Sequence, residues 1–358
     1  MIRILADEKV LFADPLLALG GRAELTLAPA AEITRERLLS LGVQALVVRS
    51  TIRVDEDLLA GSPVEFVGSA TIGTDHVDLA HLARAGIAFA AAPGSSADSV
   101  AQFTVALLAI AACRRDQRLS GATLAVVGCG AIGSRVARAA ERLGMTVLRH
   151  DPPLAEAGGR GFVDREALAE ADYLSLHVPL ESTGPHPTRR LVDDRFLAGL
   201  RKRPVLINTS RGEVVDEEAL ARALDTGGLG GAVLDVFVGE PRPDPLLLRR
   251  ISIASPHVAG RSLEGLAANT RVVARALARH FGAPDPESPA LPPAPILDLP
   301  GDAGPAELAR RAWDLESVSE SLRGDPSRFL ELRDRLPLRR DLGRHGGEAA
   351  ARFAALFD

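Results

Sequence analysis

Three segments of this chain end in side chains able to grip an anion or move a proton. They are Ile207-Asn208-Thr209-Ser210-Arg211-Gly212, Leu234-Asp235-Val236-Phe237-Val238-Gly239-Glu240-Pro241 and Ser255-Pro256-His257-Val258-Ala259-Gly260. A guanidinium such as Arg211 can hold a carboxylate in a bidentate fork. A carboxylate such as Glu240, placed beside an imidazole such as His257, favours the protonated ring and fixes its orientation, the requirement for general acid–base work. Taken singly, each residue has a plainer reading. Arg211 could be a surface salt-bridge partner, Glu240 a solvated turn residue before Pro241, and His257 a loop histidine satisfied by its neighbours. Their joint occurrence, each after an apolar strand-like run, favours a site.

A fourth motif supplies a binding surface. Gly128-Cys129-Gly130-Ala131-Ile132-Gly133 has the pattern G-x-G-x-x-G and follows the apolar run Leu124-Ala125-Val126-Val127. Alone the pattern is weak; between a strand and a helix it is the dinucleotide-binding turn. Gly128 permits the tight turn, Gly130 lets the backbone approach a pyrophosphate, and Gly133 lets helix and strand pack closely, with the phosphates on the helix N-terminus. Asp151 ends the next strand-like run, 18 residues after Gly133. There a carboxylate binds ribose hydroxyls and repels a 2′-phosphate, which favours NAD over NADP. Arg149 nearby weighs mildly the other way.

The elements that must position these residues alternate in type. Runs at 2–6, 44–48 and 64–68 read as buried strands with helical stretches between them. Further runs at 124–127, 146–150, 173–178, 204–208, 232–236 and 252–256 continue the pattern. Strands alternating with helices argue for parallel sheets covered on both faces, with ligands at the carboxyl ends of the strands. Ala97–Cys113 reads as a helix apolar on most faces, buried between domains. A helix is expected from about Ser262 to Phe281, then a Pro-rich break over 282–295, then charged helices around Ala306–Leu322 and Pro326–Arg335. The expected fold is α/β, with two doubly wound parallel-sheet domains and a small C-terminal α+β domain. The expected boundaries are a flavodoxin-like substrate domain over 1–96 and 257–285, a Rossmann cofactor domain over 97–256, and the C-terminal domain over 286–358.

Composition narrows the partners. At 358 residues the chain is too long for one ordinary core, and 46% hydrophobic with 25% charged residues is a globular profile. A net charge of −5 makes no global electrostatic case for nucleic acid or an anionic membrane. Lys9 and Lys202 are the only lysines, so arginine-rich clusters carry less information than usual. Cys113 and Cys129 form no metal-ligand spacing and no disulfide framework, so no metal is expected. No run is expected to approach a membrane span, and the default location is the cytoplasm.

The three segments and the glycine turn resemble the D-isomer-specific 2-hydroxy acid dehydrogenases over about residues 1–282. The resemblance implies that Arg211 grips the substrate carboxylate and the oxygen at C2, that His257 shuttles the hydroxyl proton, and that Glu240 supports His257. It also implies cofactor contacts from Val178, Thr209, Ser210, Asp235 and Gly260, with Asp235 at the nicotinamide end. One branch of the family, acting on a phosphorylated four-carbon acid and carrying an added dimerisation domain, is similar in further stretches. These include Leu5-Ala6-Asp7-Glu8, Val48-Arg49-Ser50, residues 66–78, Asp151-Pro152-Pro153, Ser262-Leu263-Glu264-Gly265 and, in the extension, Phe329–Arg333 with Arg339-Arg340. This similarity implies substrate contacts from Ser50 and Thr71 and a homodimer through the C-terminal domain; the plainer reading of Ser50 and Thr71 is local capping and turn hydrogen bonds. Arg49 is a candidate anion contact. Arg261 stands where that branch carries a substrate-touching Tyr; it could strengthen a phosphate contact or mark a different acid, of the phosphoglycerate or glycerate type. A non-enzymatic NAD sensor on the same fold is the alternative from another class.

Overall fold

A computed structural model of the chain describes residues 1–335 and 338–358. The chain forms two compact units, Met1–Ser96 with Leu263–Pro292 and Ala97–Ser262 with Pro293–Asp358.

The first unit is built on a five-stranded sheet. Its strands are β1 (Ile2–Asp7), β2 (Ala23–Ala28), β3 (Ala45–Val48), β4 (Phe66–Ser69) and β5 (Ala88–Ala90), in the order β2-β1-β3-β4-β5. Every pairing is parallel. This is the flavodoxin-like order. The central strand reads Ala-Leu-Val-Val with all four residues buried, as expected when both faces are covered. Val273, Ala274, Leu277 and Ala278 form a helical stripe on the helix Leu263–His280 and pack with Ile4, Ala6 and Phe66 on one face. Edge strands β2 and β5 carry no long apolar run and escape the sequence reading.

The second unit holds a six-stranded parallel sheet. Its strands are β6 (Thr123–Val127), β7 (Thr146–His150), β8 (Tyr173–Leu176), β9 (Val205–Asn208), β10 (Gly231–Leu234) and β11 (Ile253–Ala254), in the order β11-β10-β9-β8-β6-β7. The chain steps from β6 to β7 on one side and then returns past β6 to β8. That reversal opens the crevice at the carboxyl ends where such sheets bind ligands.

The helix Ala97–Arg114 is long and apolar enough to cross a membrane, contrary to the expectation that no segment would be. It lies in the core of the second unit, with Phe103, Leu107, Leu108 and Ile110 inaccessible to solvent. Burying each large side chain stabilises by about 1.5–3 kcal/mol.

The C-terminal segment departs most from expectation. Pro293–Asp358 belongs to the same compact unit as the six-stranded sheet. Its helices are Pro305–Trp313, Leu315–Gly324, Phe329–Arg335 and Glu348–Ala354. Instead of a sheet, the described residues of this segment carry two isolated bridges, Ser262↔Arg339 and Ile296↔Gly346. The single helix expected over 306–322 is broken at Asp314, which takes the left-handed conformation at φ 42°. The first helix packs Ala306, Leu308 and Ala309 into the core that holds Ala97–Arg114, and the Trp313 ring lies 5.5 Å from that of Phe103. The chain passes from the second unit to the first at Leu263 rather than at 257, so the whole His257 loop lies with the six-stranded sheet.

Candidate active site

The glycine turn connects β6 to the helix Gly133–Arg142, as the motif requires. Gly128 has φ 84°, and a Cβ added to Gly133 would lie 1.9 Å from the Gly128 carbonyl oxygen, so strand and helix meet without room for a side chain. At Gly130 the opposite holds. It is exposed, and nothing lies within 4 Å of an added Cβ, which leaves open space for a bound group. Ala131 is exposed and Ile132 half-buried beside it. Asp151 follows β7 with two local duties: Oδ2 accepts the Cys129 N–H at 2.7 Å, and Oδ1 caps the next helix through Leu154 N at 3.0 Å. Arg149 is paired with Glu141 at 2.8 Å, which holds its guanidinium above its ordinary pKa and engages the charge that could have favoured a 2′-phosphate. Open space at the helix N-terminus, a strand-end carboxylate and a paired arginine fit NAD. Burial, with the Asp151 charge adding, pushes the Cys129 thiol up to about 11, so it stays protonated within the turn.

After β8, His177 hydrogen-bonds Ser175 Oγ through Nε2 at 2.8 Å, and burial pushes its pKa down to about 3. Its carbonyl oxygen would lie 2.6 Å from a Cβ on Gly128, so the β6 and β8 ends abut. Val178 follows, half-buried.

Beyond β9, Asn208 folds the Arg211 loop onto itself. Its Oδ1 accepts from Ser210 N at 3.0 Å and Ser210 Oγ at 2.7 Å, and its Nδ2 donates to Arg211 O at 2.8 Å. Thr209 is buried and hydrogen-bonds Thr104 at 3.1 Å. Arg211 Nη1 donates to Ser210 O at 2.8 Å. Gly212 then brings this loop against the β10 loop; an added Cβ would lie 2.0 Å from the carbonyl carbon of Phe237.

The β10 and β11 loops carry the acid–base pair. His257 Nδ1 lies 2.8 Å from Glu240 Oε2, and Glu240 Oε1 accepts the Phe237 N–H at 2.9 Å. This carboxylate leaves the other ring nitrogen, Nε2, as the proton-transfer atom. His257 has φ 53°, a left-handed conformation that a non-glycine residue keeps only when its surroundings enforce it. Asp235 provides much of that enforcement. Its carbonyl oxygen accepts His257 N at 2.7 Å, Oδ1 accepts Val258 N at 2.9 Å and Ser255 Oγ at 2.6 Å, and Oδ2 accepts Ala259 N at 2.9 Å. Burial pushes the Asp235 carboxyl above its ordinary pKa, opposed by the His257 charge and these hydrogen bonds. Asp235, expected at the nicotinamide end of a cofactor, is thus wholly buried and bound to the catalytic loop. Gly260 is half-buried at the end of the same loop. Arg261 is mostly buried, with Nη1 3.8 Å from Asp334 Oδ1, and lines a cavity of about 490 Å³ with Trp313 and Arg339.

In the first unit, Arg49 Nε bonds Asp7 Oδ2 at 3.0 Å, so part of its charge is balanced by a buried carboxylate. Ser50 is exposed after β3. Thr71 sits in a hydrogen-bonded chain: His76 Nε2 to Ser69 Oγ at 3.0 Å, Ser69 Oγ to Thr71 Oγ1 at 2.7 Å, and Thr71 Oγ1 to Gly73 O at 3.0 Å. Burial lowers the His76 pKa, which favours a neutral ring in that chain.

Asn208, Ser255, Ser69 and His76 support the site residues, and the sequence alone gives them no role. A polar residue inside an otherwise buried strand end is the signal that could have marked Asn208 and Ser69.

Comparison with known proteins follows the same lines. Residues 99–259 match the model of the D-isomer specific 2-hydroxyacid dehydrogenase, NAD binding domain. The erythronate-4-phosphate dehydrogenase of Salinibacter ruber is 42% identical over 99% of this chain and 90% of its own length. The enzyme of that name from Bacteroides fragilis is 39% identical over 89% of this chain and 92% of its own. Among solved structures, the TT0316 protein from Thermus thermophilus superposes with a TM-score of 0.66 at 30% identity, covering 80% of this chain and 99% of that one.

Proposed function

This chain belongs to the erythronate-4-phosphate dehydrogenases of the D-isomer-specific 2-hydroxyacid dehydrogenase family, and on that footing we propose that it oxidises 4-phospho-D-erythronate to 2-oxo-3-hydroxy-4-phosphobutanoate. The reaction serves the synthesis of pyridoxal 5′-phosphate. The chain is an NAD-dependent dehydrogenase. The observation that carries the chemistry is the 2.8 Å pair of His257 and Glu240 in the unit that holds the glycine turn.

Gly128, Gly130, Ala131, Ile132, Gly133 and Asp151, with Val178, Thr209, Ser210 and Gly260 as further contacts, would hold NAD, which would supply the hydride acceptor. Asp235 contributes to that end of the site by holding the His257 loop. Arg211 holds the substrate carboxylate and the C2 oxygen in its guanidinium fork. Neutral His257 accepts the C2 hydroxyl proton as the C2–H bond yields its electron pair, and Glu240 stabilises the imidazolium that results. Ser50 and Thr71 bind substrate hydroxyl or phosphate oxygens, and Arg49 and Arg261 are the cationic candidates for the phosphate.

Purified protein is expected to form NADH with 4-phosphoerythronate and NAD when the ketone product is trapped. Silence with that acid and turnover of 3-phosphoglycerate or glycerate would retain the mechanism and replace the substrate. Arg261 is the residue that favours this second reading, because it stands where the phosphoerythronate branch carries a Tyr. An NAD sensor on this fold would tolerate Arg211→Ala without loss of cellular function.

The assembly proposed is a homodimer through residues 286–358, where Ile296 is 81% and Leu330 47% exposed. A monomer at micromolar concentration in sedimentation would count against it. The location we propose is the cytoplasm, where Cys113 and Cys129 would stay reduced.

A further inference from the structure

The catalytic loop is gripped from two sides. On one side Asp235 takes the N–H groups of Val258 and Ala259. On the other, Arg339, from the C-terminal segment, takes carbonyl groups of the same stretch. Its Nη1 donates to Val258 O at 2.5 Å and Arg261 O at 3.3 Å, and its Nη2 donates to Ala259 O. The guanidinium is itself fixed, 4.6 Å from the Phe103 ring centroid and 5.0 Å from that of Trp313. A parallel bridge joins Ser262 to Arg339. Two residues on, buried Asp341 accepts from Ser99 Oγ at 2.9 Å, and Ser99 hydrogen-bonds Ser262 at 2.6 Å.

We propose that Arg339 is a positioning residue for the dehydrogenase site, holding the loop after His257 so that the imidazole stays on Glu240. A planar fork with several donors suits three converging carbonyls in a way that a single ammonium does not. The left-handed backbone of His257 needs such support, since relaxation of the loop would rotate the ring away from the Glu240 carboxylate. Arg339 lies outside the stretch matched by the family's NAD-binding domain model, so this chain supports its histidine from its own extension. The inference rests on the dehydrogenase reading of His257 and not on the identity of the acid.

The test compares Arg339→Met and Arg339→Lys with the full-length wild type. The measurements are kcat and KM for 4-phosphoerythronate, NADH affinity by fluorescence, melting temperature, and the His257 ring signal in protein carrying ¹³C-labelled histidine, assigned with His257→Asn. Arg339→Met is expected to lower kcat by about tenfold to a hundredfold, the scale of a small misplacement of a catalytic group, with KM and NADH affinity nearly unchanged and the His257 signal displaced. Arg339→Lys is expected to recover part of kcat and move the signal part of the way back. Wild-type kcat in folded Arg339→Met, or a lowered kcat with an unmoved His257 signal, overturns the proposal. If Arg339→Met does not fold, Arg339→Lys decides by the same criteria. The histidine signal needs no substrate, so it still decides if the wild type proves inactive on 4-phosphoerythronate.

Discussion

Glu240 divides its carboxylate between two duties: Oε2 lies 2.8 Å from His257 Nδ1, and Oε1 accepts the Phe237 N–H at 2.9 Å. The second bond fixes the carboxylate so that the first can orient the ring. Replacing Glu240 with Gln keeps an oxygen for Phe237 N–H and removes the charge facing the imidazolium. The expected result is a folded protein with unchanged NADH affinity and kcat reduced by about a hundredfold or more, the lower range for acid–base catalysis. Steady-state kinetics with fluorescence titration checks it. A Gln variant at wild-type kcat would remove Glu240 from the mechanism.

The two glycines of the cofactor turn should behave differently. Gly133→Ala places a Cβ 1.9 Å from the Gly128 carbonyl oxygen, so strand and helix must separate. Overpacking of this kind costs about 1–3 kcal/mol or more and should appear as a lower melting temperature without ligand. Gly130→Ala meets nothing within 4 Å, so its melting temperature should stay near wild type while NADH binding weakens. Calorimetry of both variants with and without NADH separates the effects. Equal behaviour of the two would show that the turn does not approach a pyrophosphate.

Much of this arrangement could be read in the sequence because its signals are local. Gly128–Gly133 sits between a strand and a helix within a few residues, and Arg211, Glu240 and His257 each follow a short apolar strand. The unread parts depend on contacts between distant segments. The resemblance places Asp235 at the nicotinamide end, but its grip on Val258 N and Ala259 N exists only in the folded loop. Arg339 is about 80 residues from the carbonyls it binds, and no periodicity reports such a pair. Ala97–Cys113 reads correctly as a helix and as buried, but it lies in the core of the second unit rather than between domains, and its neighbour Trp313 comes from a segment whose break at Asp314 has no proline or glycine to announce it.

Two half-buried groups give stability opposite pH dependences. Burial raises the Glu217 pKa from 4.5 to about 7, with the Val238 N–H opposing and the charges of Asp244, Glu213 and Glu240 adding to the rise. Between those values the folded chain holds more protons than the unfolded one, so this group removes stability as pH rises from 4.5 to about 7. Glu217→Gln should flatten that fall in melting temperature.

His177 works in the other direction. Burial lowers its pKa from 6.5 to about 3, so the unfolded chain holds more protons in that window and stability falls as pH drops through it. His177→Gln should lessen the loss of melting temperature as pH falls from 6.5 towards about 3. Unchanged acid sensitivity in the variant would show that His177 does not contribute to it.

Hydride transfer from C2 is the central claim, and isotopic labelling tests it most directly. Wild-type protein is given NAD and 4-phosphoerythronate deuterated at C2, and the reduced cofactor is analysed by mass spectrometry. The account predicts NADH carrying one deuterium, with formation lost in His257→Ala. Unlabelled NADH, or labelled NADH formed equally well by His257→Ala, would contradict it.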